Sequence, residues 1–115
     1  MGSSHGLRAL DAAQRLASET IALVESFPTW DPAGLRRQLS EAANSVPANI
    51  AEGFGRGTLA ERQHRLRIAR GSLEETQSHL KVSWRAGYIQ SAVFYRLWHL
   101  TVVLDRMLGA LIARH

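Results

Sequence analysis

Residues 45–56 read Ser45-Val46-Pro47-Ala48-Asn49-Ile50-Ala51-Glu52-Gly53-Phe54-Gly55-Arg56. Val46, Ile50 and Phe54 recur every four residues, which is the spacing of one face of an α-helix. Pro47 falls inside this pattern, where it removes a backbone hydrogen bond and its ring crowds the preceding turn. Glycines then follow at 53, 55 and 57 and end the pattern. We therefore predict a helix that is kinked at Pro47 and leads through a glycine-rich turn into the next helix.

The same helical spacing appears on both sides of this stretch. A first pattern covers residues 7–27, with an apolar stripe that includes Ile21, and Pro28 stops it. Asp31 and Pro32 are a start signal for the second helix. The third opens with the capping box Thr58-Leu59-Ala60-Glu61, and its predicted stripe begins at Leu59. A fourth apolar stripe runs through residues 93–111.

Short links between long helices predict an all-α fold, an antiparallel up-and-down four-helix bundle whose second helix is kinked at Pro47. A chain of 115 residues is expected to form one domain. We predict a flexible leader over residues 1–6 and a single domain over residues 7–115.

The composition indicates a folded domain without disulfides or membrane-spanning segments. Hydrophobic residues make up 45% of the chain and charged residues 21%, which is typical of a folded domain. The sequence contains no cysteine, which excludes disulfides and thiolate metal sites and favours a cytoplasmic location. No apolar run approaches the ~20 residues that a membrane span requires.

The charge is positive and is carried almost entirely by arginine. The net charge is +4 and 13 of the 14 basic residues are arginine. A guanidinium binds phosphate or carboxylate through two parallel hydrogen bonds, so this bias suits nucleic acid. A solvated basic surface, or arginines that pair with carboxylates at subunit contacts, explains the same composition.

The densest basic group follows the glycine-rich turn. We predict that it is the nucleic-acid-binding site, and its members are Arg56, Arg62, Arg65, Arg67 and Arg70. The four on the third helix fan over about 200° at 3.6 residues per turn, so they do not form one stripe. The structural alternative is that these arginines cap helices and pair between helices with Glu52, Glu61, Glu41 or Glu75.

No arrangement in the sequence predicts catalysis. Glu61 and His64 form one Glu-x-x-His motif, whereas di-iron bundles need two such motifs and two more glutamates. The glycines after residue 52 lack the preceding strand and the lysine of a phosphate-binding loop. We therefore predict no catalytic residue, no cofactor and no metal, and a protein that is not an enzyme.

The apolar surface exceeds what one four-helix interior can bury. The surplus residues are Trp84, Tyr88, Trp98, Val102, Val103 and Ile112. A second apolar face on a small bundle favours a homo-oligomer.

Three blocks carry a family resemblance. They are residues 45–56, then Ile68-Ala69-Arg70-Gly71-Ser72-Leu73-Glu74-Glu75, then Gly87-Tyr88-Ile89. Together with their spacing they resemble the bacterial four-helix-bundle proteins known as 23S rRNA intervening-sequence proteins, over roughly residues 7–113. The signature positions that this resemblance implies are Pro47, Asn49, Glu52, Gly53, Arg70 and Gly71.

The resemblance implies a cytosolic, non-enzymatic protein that assembles as a homopentameric ring. The family is also similar to the accessory proteins of diversity-generating retroelements, which are basic pentameric barrels that bind nucleic acid and a reverse transcriptase. Arg62 and Arg65 stand where family members often have phenylalanine, which makes the third helix more basic.

We predict a homo-oligomeric, pentameric scaffold that binds RNA or DNA through its arginines. The alternative is a protein–protein interaction module with no role in nucleic-acid binding. As hypotheses for two signature residues, Asn49 satisfies backbone groups freed by Pro47, and Gly71 allows close helix approach.

Overall fold

The computed structural model describes residues 4–114, which form four α-helices and no strand. The helices are α1 (Ser4–Val24), α2 (Leu35–Phe54), α3 (Leu59–Arg85) and α4 (Ser91–Ala113). None of these helices is long and apolar enough to cross a membrane. The predicted all-α four-helix fold is thus confirmed.

The helices alternate in direction. Gly6 near the start of α1 packs against Phe54 at the end of α2. The Gln63 side chain near the start of α3 donates hydrogen bonds to the carbonyl oxygens of Leu111 and Arg114 at the end of α4. The starts of α1 and α3 therefore lie beside the ends of α2 and α4, in a bundle measuring 45 × 23 × 18 Å.

Leucines from all four helices fill the core. The fully buried set includes Leu16, Leu39, Leu66, Leu73, Leu80, Leu97, Leu104 and Leu108. Burying one such side chain contributes about 1.5–3 kcal/mol, so these residues provide most of the drive to fold. Two stripe predictions were wrong, because Ile21 and Leu59 are 45% and 46% exposed. In α1 the buried face passes through Leu16 and Thr20, which turns Ile21 outward.

The predicted signals around α2 were right in part. The Asp31 carboxylate accepts hydrogen bonds from the backbone N–H groups of Leu35 and Arg36, at 3.1 and 2.9 Å, and so satisfies the start of α2. The residue at the N-cap position itself is Gly34, not Asp31 as predicted. Pro32 lies in the turn before the helix instead of in its first position. The helix then runs without a break through Pro47, which is buried.

The first helix starts earlier than predicted. It begins at Ser4, so residues 4–6 of the predicted leader belong to the domain, while residues 1–3 lie outside the described part of the chain. The physical reason is that Gly6 is buried against the Phe54 ring, and a Cβ there would lie 2.6 Å from the ring's Cζ atom. Thr58 caps α3 as predicted, since its hydroxyl oxygen accepts a hydrogen bond from the Glu61 N–H at 3.2 Å.

Candidate functional site

The positive charge is concentrated in one half of the bundle. This half, which we call the basic half, consists of residues 4–14, 45–72 and 102–114 and contains the starts of α1 and α3 and the ends of α2 and α4. It carries eight arginines and four carboxylates, whereas the other half carries six basic and six acidic residues. The whole net charge of +4 therefore lies in the basic half.

Two predicted arginines lie on the side of α3 that faces α2. The Arg62 guanidinium carbon is 5.1 Å from the centre of the Phe54 ring, which is the geometry of a cation–π contact. Its Nε atom is buried and has no hydrogen-bond partner among the residues that the structure describes. Arg65 donates a hydrogen bond from Nη1 to the Asn49 side-chain oxygen at 3.4 Å. Neither arginine is neutralised by a carboxylate in the described chain.

Two other predicted arginines are paired with carboxylates. Arg56 forms an ion pair with Glu52 one turn earlier on α2. Arg70 reaches from α3 to α4 and donates from Nε and Nη2 to the two carboxylate oxygens of Asp105, at 2.9 and 3.3 Å. This hydrogen bonding raises the pKa of Arg70 above its usual value. The charge of Arg70 is thus committed to holding α3 against α4.

A glycine makes room for the Arg70 guanidinium. Gly109 lies one helical turn after Asp105, and a Cβ at this position would lie 3.2 Å from Arg70 Nη2 and 3.4 Å from its central carbon. The planar group therefore lies close against the α4 backbone. This arrangement explains why residue 70 is an arginine, whose fork fits a carboxylate better than an ammonium does.

Arg67 is the most accessible of the predicted set. It is exposed, and within residues 4–114 its side chain makes no ion pair or hydrogen bond. Among the described residues, the structure therefore separates the five predicted arginines into three without a carboxylate partner, Arg62, Arg65 and Arg67, and two with one.

Sequence reasoning missed a second group of arginines in the basic half. Arg8, Arg106 and Arg114 line a cleft of ≈ 280 Å³ between the start of α1 and the end of α4, together with His5. The apolar part of its lining, which we call its floor, includes Met107. These arginines come from opposite ends of the chain, so no local spacing in the sequence connects them.

The apolar surplus is only partly accommodated by the core. Trp84, Tyr88, Trp98 and Ile112 pack against the core and are partly buried, and Val102 and Val103 are partly buried too. Trp84 stacks on Phe94 with ring centres 4.2 Å apart. Within residues 4–114, the large apolar side chains that remain exposed are instead Leu7, Ile21, Trp30, Leu59, Ile68, Val82 and Tyr95.

No group of three or more histidine or carboxylate side chains that could hold a metal ion occurs within residues 4–114. Glu61 and His64, the single Glu-x-x-His motif, are both exposed on α3. Their outward position agrees with the reading of this motif as helix surface.

The sequence and the fold both match known proteins. The sequence model of the 23S rRNA-intervening sequence protein family matches residues 5–110. The chain belongs to this family. Its fold is similar to the crystal structure of a protein of unknown function from the S23 ribosomal protein family of Bacteroides thetaiotaomicron, with a TM-score of 0.86 and 18% identity over 96% of this chain and 99% of that one. No curated protein sequence matches the chain.

The structure shows the surroundings of several positions that the resemblance to the 23S rRNA-intervening sequence proteins singles out. The Asn49 amide nitrogen donates to the Ser45 carbonyl at 2.9 Å and to the Ser45 hydroxyl at 3.1 Å. The Ser45 hydroxyl in turn is 2.8 Å from the Ser72 hydroxyl on α3. Asn49, with Arg65 on its oxygen, is therefore the centre of a polar network that joins α2 to α3. This is not the role predicted for Asn49, which was to satisfy backbone groups freed by Pro47. Pro47 leaves the carbonyl of Ala43 without its helical partner, whereas Asn49 binds the carbonyl of Ser45.

The two glycines that the resemblance singles out, Gly53 and Gly71, differ in their surroundings. Gly53 is buried, and a Cβ there would lie 3.2 Å from the Cβ of Arg65 and 3.3 Å from the carbonyl oxygen of Arg62. Gly71 is exposed, and a Cβ there would meet nothing within 4 Å. The hypothesis of close helix approach within the chain was thus wrong for Gly71, and it is Gly53 that allows α2 and α3 to approach.

Proposed function

We propose that this member of the 23S rRNA-intervening sequence protein family is a cytoplasmic, non-enzymatic, homo-oligomeric scaffold that binds RNA or DNA through its basic half. The single observation that carries the proposal is the confinement of the whole net charge of +4 to that half. Clustered arginines attract a phosphate backbone and release its counterions, and this term does not depend on sequence.

Within the predicted set, the arginines that have no carboxylate partner in the described part of the chain are the ones proposed to contact phosphates. These are Arg62, Arg65 and Arg67, whereas Glu52 and Asp105 already balance Arg56 and Arg70. Arg62 packs on Phe54 and Arg65 bonds Asn49, so both side chains are already oriented. A held guanidinium loses less entropy when it binds phosphate than a mobile one does.

Charge reversal with a matched control tests the nucleic-acid site. The test variant is Arg65→Glu/Arg67→Glu. The control is Arg37→Glu/Arg85→Glu, which changes the net charge equally in the other half. Binding of single-stranded RNA is measured by fluorescence anisotropy over a range of salt concentrations, where each phosphate contact adds about 0.7 to the slope of log affinity against log salt.

We expect the test variant to lose affinity and to lower the slope by about 1.4, for two lost contacts. The control should retain the slope of the unmodified protein. If both variants bind RNA equally well, Arg65 and Arg67 do not contribute to the binding site.

The exposed apolar side chains support self-association. Leu7 and Ile21 on α1 are 54% and 45% exposed, and Val82 on α3 is 48% exposed. Large apolar groups spread along two outer faces are what a ring of subunits would cover. We propose a pentamer, as the family resemblance implies.

A protein–protein interaction module with no nucleic-acid role is the second candidate. The observation that favours it is Trp30, which is 80% exposed in the α1–α2 link, and tryptophan is enriched at interaction hot spots. This candidate predicts RNA binding that is weak and insensitive to both pairs of substitutions.

A further inference from the structure

The cleft between α1 and α4 combines positive charge with an apolar floor. Arg8 reaches it from the second turn of α1, and Arg106 and Arg114 reach it from the end of α4. Met107 and Leu111 form its floor. At ≈ 280 Å³ it is close to the lower limit of about 300 Å³ that is usual for small-molecule sites.

Helix stability does not explain why these cations gather. Arginines near the end of α4 are favourable for the helix dipole, but Arg8 near the start of α1 is unfavourable, and the first turn of α1 has no acidic residue. Within residues 4–114, none of Arg8, Arg106 and Arg114 has a carboxylate partner. Three like charges around one small cleft repel one another, and an anionic ligand would relieve that repulsion.

Hydrogen bonds from α3 reduce the negative potential at the end of α4, which would otherwise repel an anion. The Gln63 amide donates to the Leu111 carbonyl at 3.4 Å and to the Arg114 carbonyl at 2.6 Å. These two acceptors are therefore occupied from α3. The same bonds fix the backbone of Arg114, whose side chain lines the cleft.

We propose that this cleft binds one nucleotide through its terminal phosphomonoester, with the base on the apolar floor. A phosphomonoester carries about −1.5 to −2 charges at pH 7, which matches the three guanidinium groups better than the single charge of a phosphodiester. Guanidinium planes and a polarisable thioether are suitable partners for the flat face of a base.

The nucleotide has two possible sources, a free mononucleotide or the phosphorylated end of a nucleic-acid strand. The strand-end source rests on the proposed nucleic-acid function, whereas the free mononucleotide does not. The two arms of the experiment therefore use AMP and a 5′-phosphorylated RNA oligomer, with adenosine and the 5′-hydroxyl oligomer as controls.

Met107 provides a reporter inside the cleft. The sequence contains only two methionines, Met1 and Met107, so a sample with labelled methionine methyl groups gives two NMR signals. The signal that is missing from the spectrum of Met107→Leu belongs to Met107. We expect AMP to shift the Met107 signal in a saturable way. Adenosine and inorganic phosphate should each bind at least ten-fold more weakly, because each lacks one of the two recognised parts.

The binding variant is Arg8→Gln/Arg106→Gln, with Arg37→Gln/Arg85→Gln as a control of equal charge. We expect the first to weaken AMP binding at least ten-fold and the second to leave it unchanged. Removing two mutually repelling exposed cations should not unfold the protein, which circular dichroism checks.

Several results would overturn the proposal. They are no Met107 shift at millimolar AMP, equal affinity for AMP and inorganic phosphate, or an unaltered affinity in Arg8→Gln/Arg106→Gln. Preference for the 5′-phosphorylated oligomer supports the strand-end source, and binding of AMP alone supports the free nucleotide. The protein could also bind RNA with an affinity that depends neither on the 5′ phosphate nor on Arg8 and Arg106, and fail to bind AMP. That result would refute the nucleotide site in the cleft while leaving the proposed function intact.

Discussion

Replacing Gly53 by alanine tests how closely α2 and α3 approach. The new Cβ would lie 3.2 Å from the Arg65 Cβ and 3.3 Å from the Arg62 carbonyl oxygen. Both are closer than ordinary van der Waals contact, and one neighbour is backbone that cannot rotate away. Overpacking of this kind costs about 1–3 kcal/mol. Alanine also favours the helix over glycine by about 0.5–1 kcal/mol, which offsets part of that cost.

Gly71→Ala is the matched control, because it makes the same chemical change on an exposed helix face where a Cβ meets nothing within 4 Å. The gain in helix propensity is common to both variants, so their stabilities should differ by the overpacking cost alone. Gly71→Ala should be about 0.5–1 kcal/mol more stable than the unmodified protein.

Thermal unfolding followed by circular dichroism measures the difference. At about 4–8 °C per kcal/mol for a small domain, Gly53→Ala should melt at least 4 °C below Gly71→Ala. Repeating the scans at higher protein concentration separates contributions from subunit contacts, since those depend on concentration. Equal midpoints, or a higher midpoint for Gly53→Ala, would refute the reasoning about helix approach.

Two further substitutions test the polar contacts between helices. Asn49→Ala should destabilise the protein by about 1–3 kcal/mol, because it breaks the bonds to Ser45 and leaves that network incomplete. The exposed Asn44→Ala on the same helix should change the unfolding free energy by less than about 0.5 kcal/mol, and an equal effect of both would count against the network. A double-mutant cycle between Arg70→Gln and Asp105→Asn should give a coupling energy of about 0.2–1 kcal/mol in denaturant unfolding, since both side chains are 40% and 34% exposed; zero coupling would contradict the ion pair.

The helices could be predicted from the sequence because their signals are local. Leucines at three- and four-residue spacing predict a buried face, and Thr58 caps the helix that follows it within three residues of chain. The buried face of a helix was harder to predict where two neighbouring residues both fit the apolar spacing. Ile21 fits an apolar repeat of α1, but the core selects the neighbouring Thr20 instead.

The candidate site depends on contacts between distant parts of the chain. Arg70 belongs to the densest basic run, yet its charge is balanced by Asp105, which lies 35 residues later. Arg8 and Arg106 carry no shared signal in the sequence, and only the meeting of α1 and α4 places them around one cleft. The composition therefore predicted a basic protein, but the contacts between helices determine which arginines remain free to bind an anion.

The most direct test of the central claim is the mass in solution, measured by light scattering with and without single-stranded RNA at low and high salt. The proposal predicts a mass several times the 12.7 kDa of one chain, five-fold for a pentamer. It also predicts that RNA raises this mass at low salt and that the increase disappears near 1 M salt, where charges more than about 3 Å apart are screened. A monomer whose mass does not change when RNA is added would contradict both the assembly and the nucleic-acid-binding role.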